Sequence, residues 1–398
     1  MANCSQRKRT TSPNPSLFPT VPRHRDTEQP TAPEASRISR PEAELVGIAR
    51  LAAASPRADA KRDTEYFLLP VRSILNRCDS DRVPFTWTMN PYRGCEFGCR
   101  YCYARYTHEY MELDGGEFER KVYVKQDAGA LAARDLATEK VWGEHIAIGT
   151  ATDPYQPAER EFGVTRAILE QMASREGLSV SITTKSNQVV RDLDLLRRIA
   201  ARSALHINIT ITTLRPRLAR LLEPRAPRPD LRLAAVRTLR DAGLAVGVFA
   251  MPVLPGLTDG EADLDALVRA ARDAGAEWFA ASVLFLMPSA QKQFLPFIEE
   301  RFPRLARQYC NWYARSGYAP AAYRREIAER VARLRTWYGL RSRPEGTEEL
   351  AWHSPQLSLD LEAASGSVRS SPSGDRLLAA PVSSFSLPAA QRSCACVR

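Results

Sequence analysis

Three of the chain's eight cysteines fall within one short stretch, "NPYRGCEFGCRYCYARYTHEY" at residues 90–110, as Cys95, Cys99 and Cys102. Thiolates bind zinc or iron, and the two metals ask different things of a site. A closed structural zinc site takes four ligands, commonly from paired Cys-x-x-Cys knuckles. Here the thiols are spaced by three and then two residues, no second pair lies nearby, and His108 is the nearest candidate fourth ligand. Cys78 and Cys310 are distant and would have to be brought in by the fold. A cubane [4Fe–4S] cluster normally takes four thiolates; with three supplied, one iron keeps an open position for a small molecule. A short loop lets successive thiols converge on a compact cube. Gly94 and Gly98 allow the tight bend and leave amide N–H groups for the sulfides. The spacing favours an iron–sulfur cluster over zinc.

Positioning such a loop requires regular elements around it, and the chain supplies them in alternation. "FTWTM" (85–89) reads as a strand before the loop. Five more follow it: "HIAIGT" (145–150), "LSVSITTK" (178–185), "ALHINITITT" (204–213), "LAVGVFAMPV" (244–253) and "EWFAASVLFL" (277–286). Helix-period segments lie between them. One carries Ile168, Leu169 and Met172, another is "NQVVRDLDLLRRIAARS", and a third carries Leu231, Ala235 and Leu239 and is closed by Gly243. A fourth starts on a capping box, Thr258 and Glu261, and places Leu264, Leu267, Val268 and Ala271 on one face. Such βαβα order makes an α/β fold of parallel strands covered by helices.

Residues 1–62 are rich in Pro, Ser, Thr and Arg, with one apolar patch at 43–54, and read as a disordered N-terminal arm. The Ser/Pro/Ala-rich tail at 353–398, which holds Cys394 and Cys396, reads the same way. A barrel core is expected over 70–300 and a helical extension over 301–345. Hydrophobic content of 44% and charged content of 26% suit a soluble protein, and no apolar run is long enough to span a bilayer. With no secretory signal and a tight thiol cluster, the protein is expected in the cytoplasm without a membrane partner. A net charge of +10 favours acidic partners such as nucleic acid, or is only an Arg-rich, solvated surface.

The Cys-x3-Cys-x2-Cys pattern, with Tyr101 before the last cysteine, resembles the signature of the radical S-adenosylmethionine (SAM) superfamily. Together with "GTATDPYQPAER", "ITTKS", "RDLDLL" and "LEPRAPRPDLRLAAVRTLRDAGL", it is similar to the subgroup related to spore photoproduct lyase, over roughly residues 70–340. The resemblance implies a partial (βα)6 TIM-type barrel, a [4Fe–4S] cluster on Cys95, Cys99 and Cys102, and SAM at the open iron. Reductive cleavage would give a 5′-deoxyadenosyl radical that abstracts hydrogen from the substrate. Reduced flavodoxin or a ferredoxin-type protein would supply the electron.

By the same resemblance Tyr101 lies near the adenine, Thr150, Thr152 and Asp153 face the cofactor, and Lys185 meets its carboxylate. Asn208, Thr210 and Thr212 are candidates for ribose or methionine contacts, being of the one strand parity that faces inward. Gly115, Gly116 and Glu117 spell the superfamily's methionine-binding letters but fall too soon after the cysteine loop, and are read as a turn. The lyase has a cysteine just before its Thr/Ser-Asp segment, which returns hydrogen to the product radical. This chain has Gly149-Thr150-Ala151-Thr152-Asp153 there, so radical chemistry on another substrate is expected. DNA or a nucleotide is the leading substrate class. The alternatives are a radical enzyme modifying a protein or peptide, and a non-catalytic, zinc-containing nucleic-acid-binding module. Arg215, Arg217 and Arg220 lie in the densest Arg stretch and are candidates for phosphate contact.

Overall fold

A computed structural model describes residues 45–342 of the chain, apart from 62, 81 and 82. Its eleven strands fall into two sheets. The larger holds, in chain order, β3 (Leu75–Arg77), β4 (Trp87–Met89), β7 (His145–Ile148), β8 (Ser179–Thr184), β9 (Ala204–Thr210), β10 (Ala245–Val253) and β11 (Trp278–Val283). The smaller holds β1 (Arg57–Lys61), β2 (Thr64–Leu69), β5 (Tyr92–Arg93) and β6 (Lys121–Lys125).

In the larger sheet the order is β11-β10-β9-β8-β7-β4-β3, and the strands from β4 to β11 are parallel. Those six are the predicted strands. β3 runs antiparallel to β4 at one edge, with no pairing back to β11, so the barrel is partial. One face of each strand builds the main core. Ile146, Val180, Ile207, Ile209 and Val248 pack with Ile168, Leu196, Leu239 and Leu267 from the covering helices Val164–Met172, Leu193–Ala200, Pro229–Asp241 and Glu261–Asp273. Parallel strands with crossover helices bring every strand's C-terminal end to the same rim, and there the cysteine loop follows β4 and β5.

Four features depart from the sequence reading. The arm expected to be disordered through residue 62 contains a helix, Gly47–Ala53, and strand β1; its apolar patch packs Ala52 against Leu69, Met111 and Tyr123. The smaller sheet was not anticipated. It adds β6 in parallel to the neighbouring pair β1 and β2, and β5 antiparallel to β6, so that two of its three pairings join segments far apart in sequence. The capping box does not form: Gly260 precedes the helix Glu261–Asp273, and the Thr258 hydroxyl instead accepts the Leu254 N–H at 2.8 Å. The helical extension begins at Pro288, with helices Pro288–Arg301, Pro303–Tyr313 and Ala321–Tyr338. The tail at 353–398 lies outside the described residues. Among the described residues no helix is long and apolar enough to cross a membrane.

Candidate active site

The cysteine loop is held by backbone bonds rather than by its own secondary structure. Cys95 N–H donates to Phe118 O at 3.0 Å, Arg100 N–H to Leu222 O at 2.9 Å, and Cys102 N–H to Cys99 O at 3.2 Å. Gly94, at φ +85°, turns the chain where a Cβ would lie 2.6 Å from Lys121 O. Fully buried Arg105 donates to Cys99 O at 3.2 Å and pairs with Glu119 at 2.6 Å, fixing the loop from behind. From the front, the helix Pro288–Arg301 covers it, with Phe294 edge-on to Tyr101 at 6.4 Å.

Cys95 and Cys99 are each 8% exposed. Burial pushes the Cys95 thiol up, as do Asp153 and the other two thiols; the Cys99 thiol is pushed up to about 12 and Cys102 is raised as well. The Phe97 N–H is aimed at the Cys95 sulfur and the Ala104 N–H at that of Cys102, an arrangement that favours thiolates once a metal is present.

A cation, Lys185, stands near Cys99 and Cys102. Burial opposes the Lys185 charge, but Cys99 and Glu223 outweigh it and hold the amine above its ordinary value. Its Nζ sits 5.8 Å from the Tyr101 ring centre. Asp153 fixes this strand end: its carboxylate accepts from Thr184 Oγ1 at 2.6 Å, Lys185 N–H at 2.7 Å and Tyr155 N–H at 3.0 Å. Where β7 and β8 end, Gly149 has φ +88° and a Cβ there would lie 2.4 Å from Thr183 O. Gly149→Ala should therefore cost about 3 kcal/mol in strain and displacement, read as a lowered urea midpoint.

Below Tyr101 lies a buried acid the sequence reading missed. Glu223 accepts the Tyr101 hydroxyl and, at 2.8 Å, that of Thr212, while Arg232 donates to its other oxygen at 2.5 Å. Glu223 and Arg232 are both fully buried. Neither stood out because each sits in a Pro/Arg-rich loop or helix start that reads as solvated surface.

The sequence profile of the radical SAM superfamily matches residues 89–268. An uncharacterized protein of Mycobacterium tuberculosis is 36% identical over 271 residues, which are 68% of this chain and 79% of that protein. The chain belongs to the radical SAM superfamily. An uncharacterized protein of Methanocaldococcus jannaschii is 33% identical over 175 residues, 44% of this chain and 63% of the other. Spore photoproduct lyase complexed with dinucleoside spore photoproduct shares the fold at a TM-score of 0.51 and 16% identity, over 75% of this chain and 86% of that one.

Radical SAM proteins use a [4Fe–4S] cluster and SAM. The residues at the rim fit that pair better than they fit zinc. Among the described residues no three His, Cys, Asp or Glu side chains stand close enough to hold a single metal ion. A cube of iron and sulfide holds its thiolates further apart. His108 bonds Lys121 O at 2.9 Å through Nε2, packs against Phe118 and Tyr123, and is pushed by burial to about 3, hence neutral; among the described residues it joins no group of side chains that could hold a metal ion.

Other expected contacts of this radical SAM site are modified by the geometry. Tyr101 is held by Glu223 through its hydroxyl, leaving the ring as its contact surface. Thr152 donates to Gly94 O at 2.7 Å and so braces the cysteine loop. Thr150 pairs with Asn90, 3.0 Å away. Asn208 accepts from Trp278 Nε1 at 3.0 Å, deep in the barrel, and Thr210 is buried on the same face. The odd residues of β9, Ile207 and Ile209, lie in the helix-facing core, so the even ones do face inward. Gly115–Glu117 form a 3-10 turn capped by Asp114. Tyr309 and Tyr313 are core residues bonded to Pro255 O and Leu284 O. Cys78 lies beyond the N-terminal end of β4, at the far end of the barrel from the three thiols. Arg215, Arg217 and Arg220 are all exposed; Arg215 bonds Leu257 O and Asp263, and Arg220 bonds Pro224 O.

Proposed function

We propose that the chain is a radical SAM enzyme in which Cys95, Cys99 and Cys102 hold the cluster, acting on DNA or a nucleotide. The observation that carries the cluster assignment is the three thiols, two buried and one half-buried, on one braced loop with a lysine, not a fourth ligand, beside them. When bound, the cluster and SAM supply a 5′-deoxyadenosyl radical for hydrogen abstraction. The chain's own residues hold the site in place. Lys185 offsets negative charge beside Cys99 and offers its ammonium to a carboxylate. Asp153 fixes the Lys185 backbone, Glu223 and Arg232 fix the Tyr101 ring, and the helix Pro288–Arg301 shuts out water and oxygen.

The nucleic-acid substrate rests on the net charge of +10, on exposed Arg217 and Arg220, and on the dinucleoside photoproduct bound by the structural neighbour. The missing cysteine before Thr150 argues for a substrate other than the spore photoproduct. A cytoplasmic setting and a reduced flavodoxin or ferredoxin-type donor belong to this reading.

Anaerobic reconstitution with iron and sulfide, then SAM and dithionite, tests the proposal by iron content and by 5′-deoxyadenosine release. A colourless protein, or a brown one that never cleaves SAM, overturns it. Lys185→Met should keep its iron and lose at least about tenfold in SAM affinity, the scale of one lost charge-assisted bond.

A further inference from the structure

β5 and β6 pair antiparallel with Arg93 opposite Tyr123, so Lys125 lies diagonally from Arg93 on the same face. The opposite face, through Tyr92, Val122 and Val124, is absorbed in the main core. Arg93 and Lys125 are 6% and 5% exposed. Among the described residues Arg93 Nε and Nη1 have no hydrogen-bond partner. Among the described residues no carboxylate forms an ion pair with Arg93 or Lys125, and Tyr106 lies beside Arg93. His108 beside them is neutral. The charges that act on the three thiols are others, among them Asp153, Lys185, Glu223 and Arg105.

Two basic side chains enclosed side by side, with guanidinium donors unfilled, call for an anion, since buried charges elsewhere in proteins are paired and buried donors bonded. We propose that Arg93 and Lys125 form the floor of an oxyanion site that takes a phosphate group. A tetrahedral dianion offers acceptors to both the guanidinium and the amine and carries two negative charges, where a carboxylate carries one. Beside the site, Tyr106 packs against Tyr103 at 6.5 Å and Tyr110 at 5.4 Å, and the last two are each 42% exposed. Aromatic faces next to a phosphate site suit a nucleotide as the phosphate's carrier. This deepens the nucleic-acid reading, and it rests on that reading only for the identity of the carrier.

The test is calorimetric titration and thermal unfolding of the full chain with sodium phosphate, against chloride and acetate at equal ionic strength. Thymidine monophosphate and a thymidine dinucleotide follow as further probes. Phosphate should bind and raise Tm where chloride and acetate do not, and both nucleotides should bind more tightly than phosphate. Lys125→Met and Arg93→Met should weaken phosphate at least tenfold, and Lys125→Arg should retain it. In phosphate-free buffer Lys125→Met should be no less stable than the parent, because it removes an unpaired charge. Equal effects of acetate and phosphate, undiminished phosphate binding by Lys125→Met, or a Tm loss in that variant without phosphate each overturns the site. Nucleotides no tighter than inorganic phosphate overturn the carrier. Iron content and SAM cleavage report on the enzyme reading separately, and Lys125→Met should leave both unchanged.

Discussion

Cys95→Ala, Cys99→Ala and Cys102→Ala should each take reconstituted iron from about four atoms per chain to below about 0.5, because two thiolates do not retain a cubane. Release of 5′-deoxyadenosine should fall at least about 10³-fold in each variant, with all three alike. The loss is specific to the metal. Cys95 and Cys99 pack with Tyr101, Phe294 and Leu222, so trimming one sulfur should cost only about 1–2 kcal/mol. Circular dichroism should be unchanged and Tm lowered by a few degrees. Cys310→Ala, on the helix Pro303–Tyr313, should keep iron and cleavage at parental levels. Iron retained by any of the three alanine variants would sink the ligand assignment.

Glu223→Ala should be the most destabilising single change at the site, costing about 3–5 kcal/mol, because it strands the buried Arg232 guanidinium. That corresponds to a fall in Tm of roughly 10 °C. The double variant Glu223→Leu/Arg232→Met should recover most of the loss, since it removes both charges. Burial pushes the Glu223 carboxyl up, but Arg232, Lys185 and the Tyr101 hydroxyl outweigh it and hold the group below its ordinary 4.5. The pair's stabilisation is therefore complete above pH 4.5 and is lost as the pH falls below it. The parent should lose stability on that acid limb and the double variant should lose less, as followed by urea midpoints from pH 6 to pH 3. Freeing the Tyr101 ring should also cut SAM cleavage by about 10–100-fold in Glu223→Ala with iron content unchanged, a split that a purely global destabilisation does not give. Equal acid limbs for parent and double variant would count against the pair.

Local signals carried much of this fold. The six parallel strands were legible because each is a short β-branched run between helix-period segments, and parallel strands buried on both faces are nearly continuous in apolar residues. The cysteine loop was legible because its chemistry needs thiols close together in sequence. Lys185 stood out because a lysine ending a buried strand is costly unless it has a task. The smaller sheet left no comparable trace. Its stability comes from pairing Glu65 with Lys121 and Tyr92 with Val124, contacts that no window of sequence contains.

By itself, then, the order of residues determined the alternation of strands and helices, the three neighbouring thiols and the inward parity of Asn208, Thr210 and Thr212. Only the tertiary structure decided what those polar groups touch. It turned Thr152 and Asp153 inward as braces, took His108 out of contention as a ligand, and set Glu223 beneath Tyr101, 122 positions away along the chain. The reason is physical: a side chain's type fixes what it can bond, but burial and long-range packing fix which partner is within reach, and each buried donor and acceptor must find one.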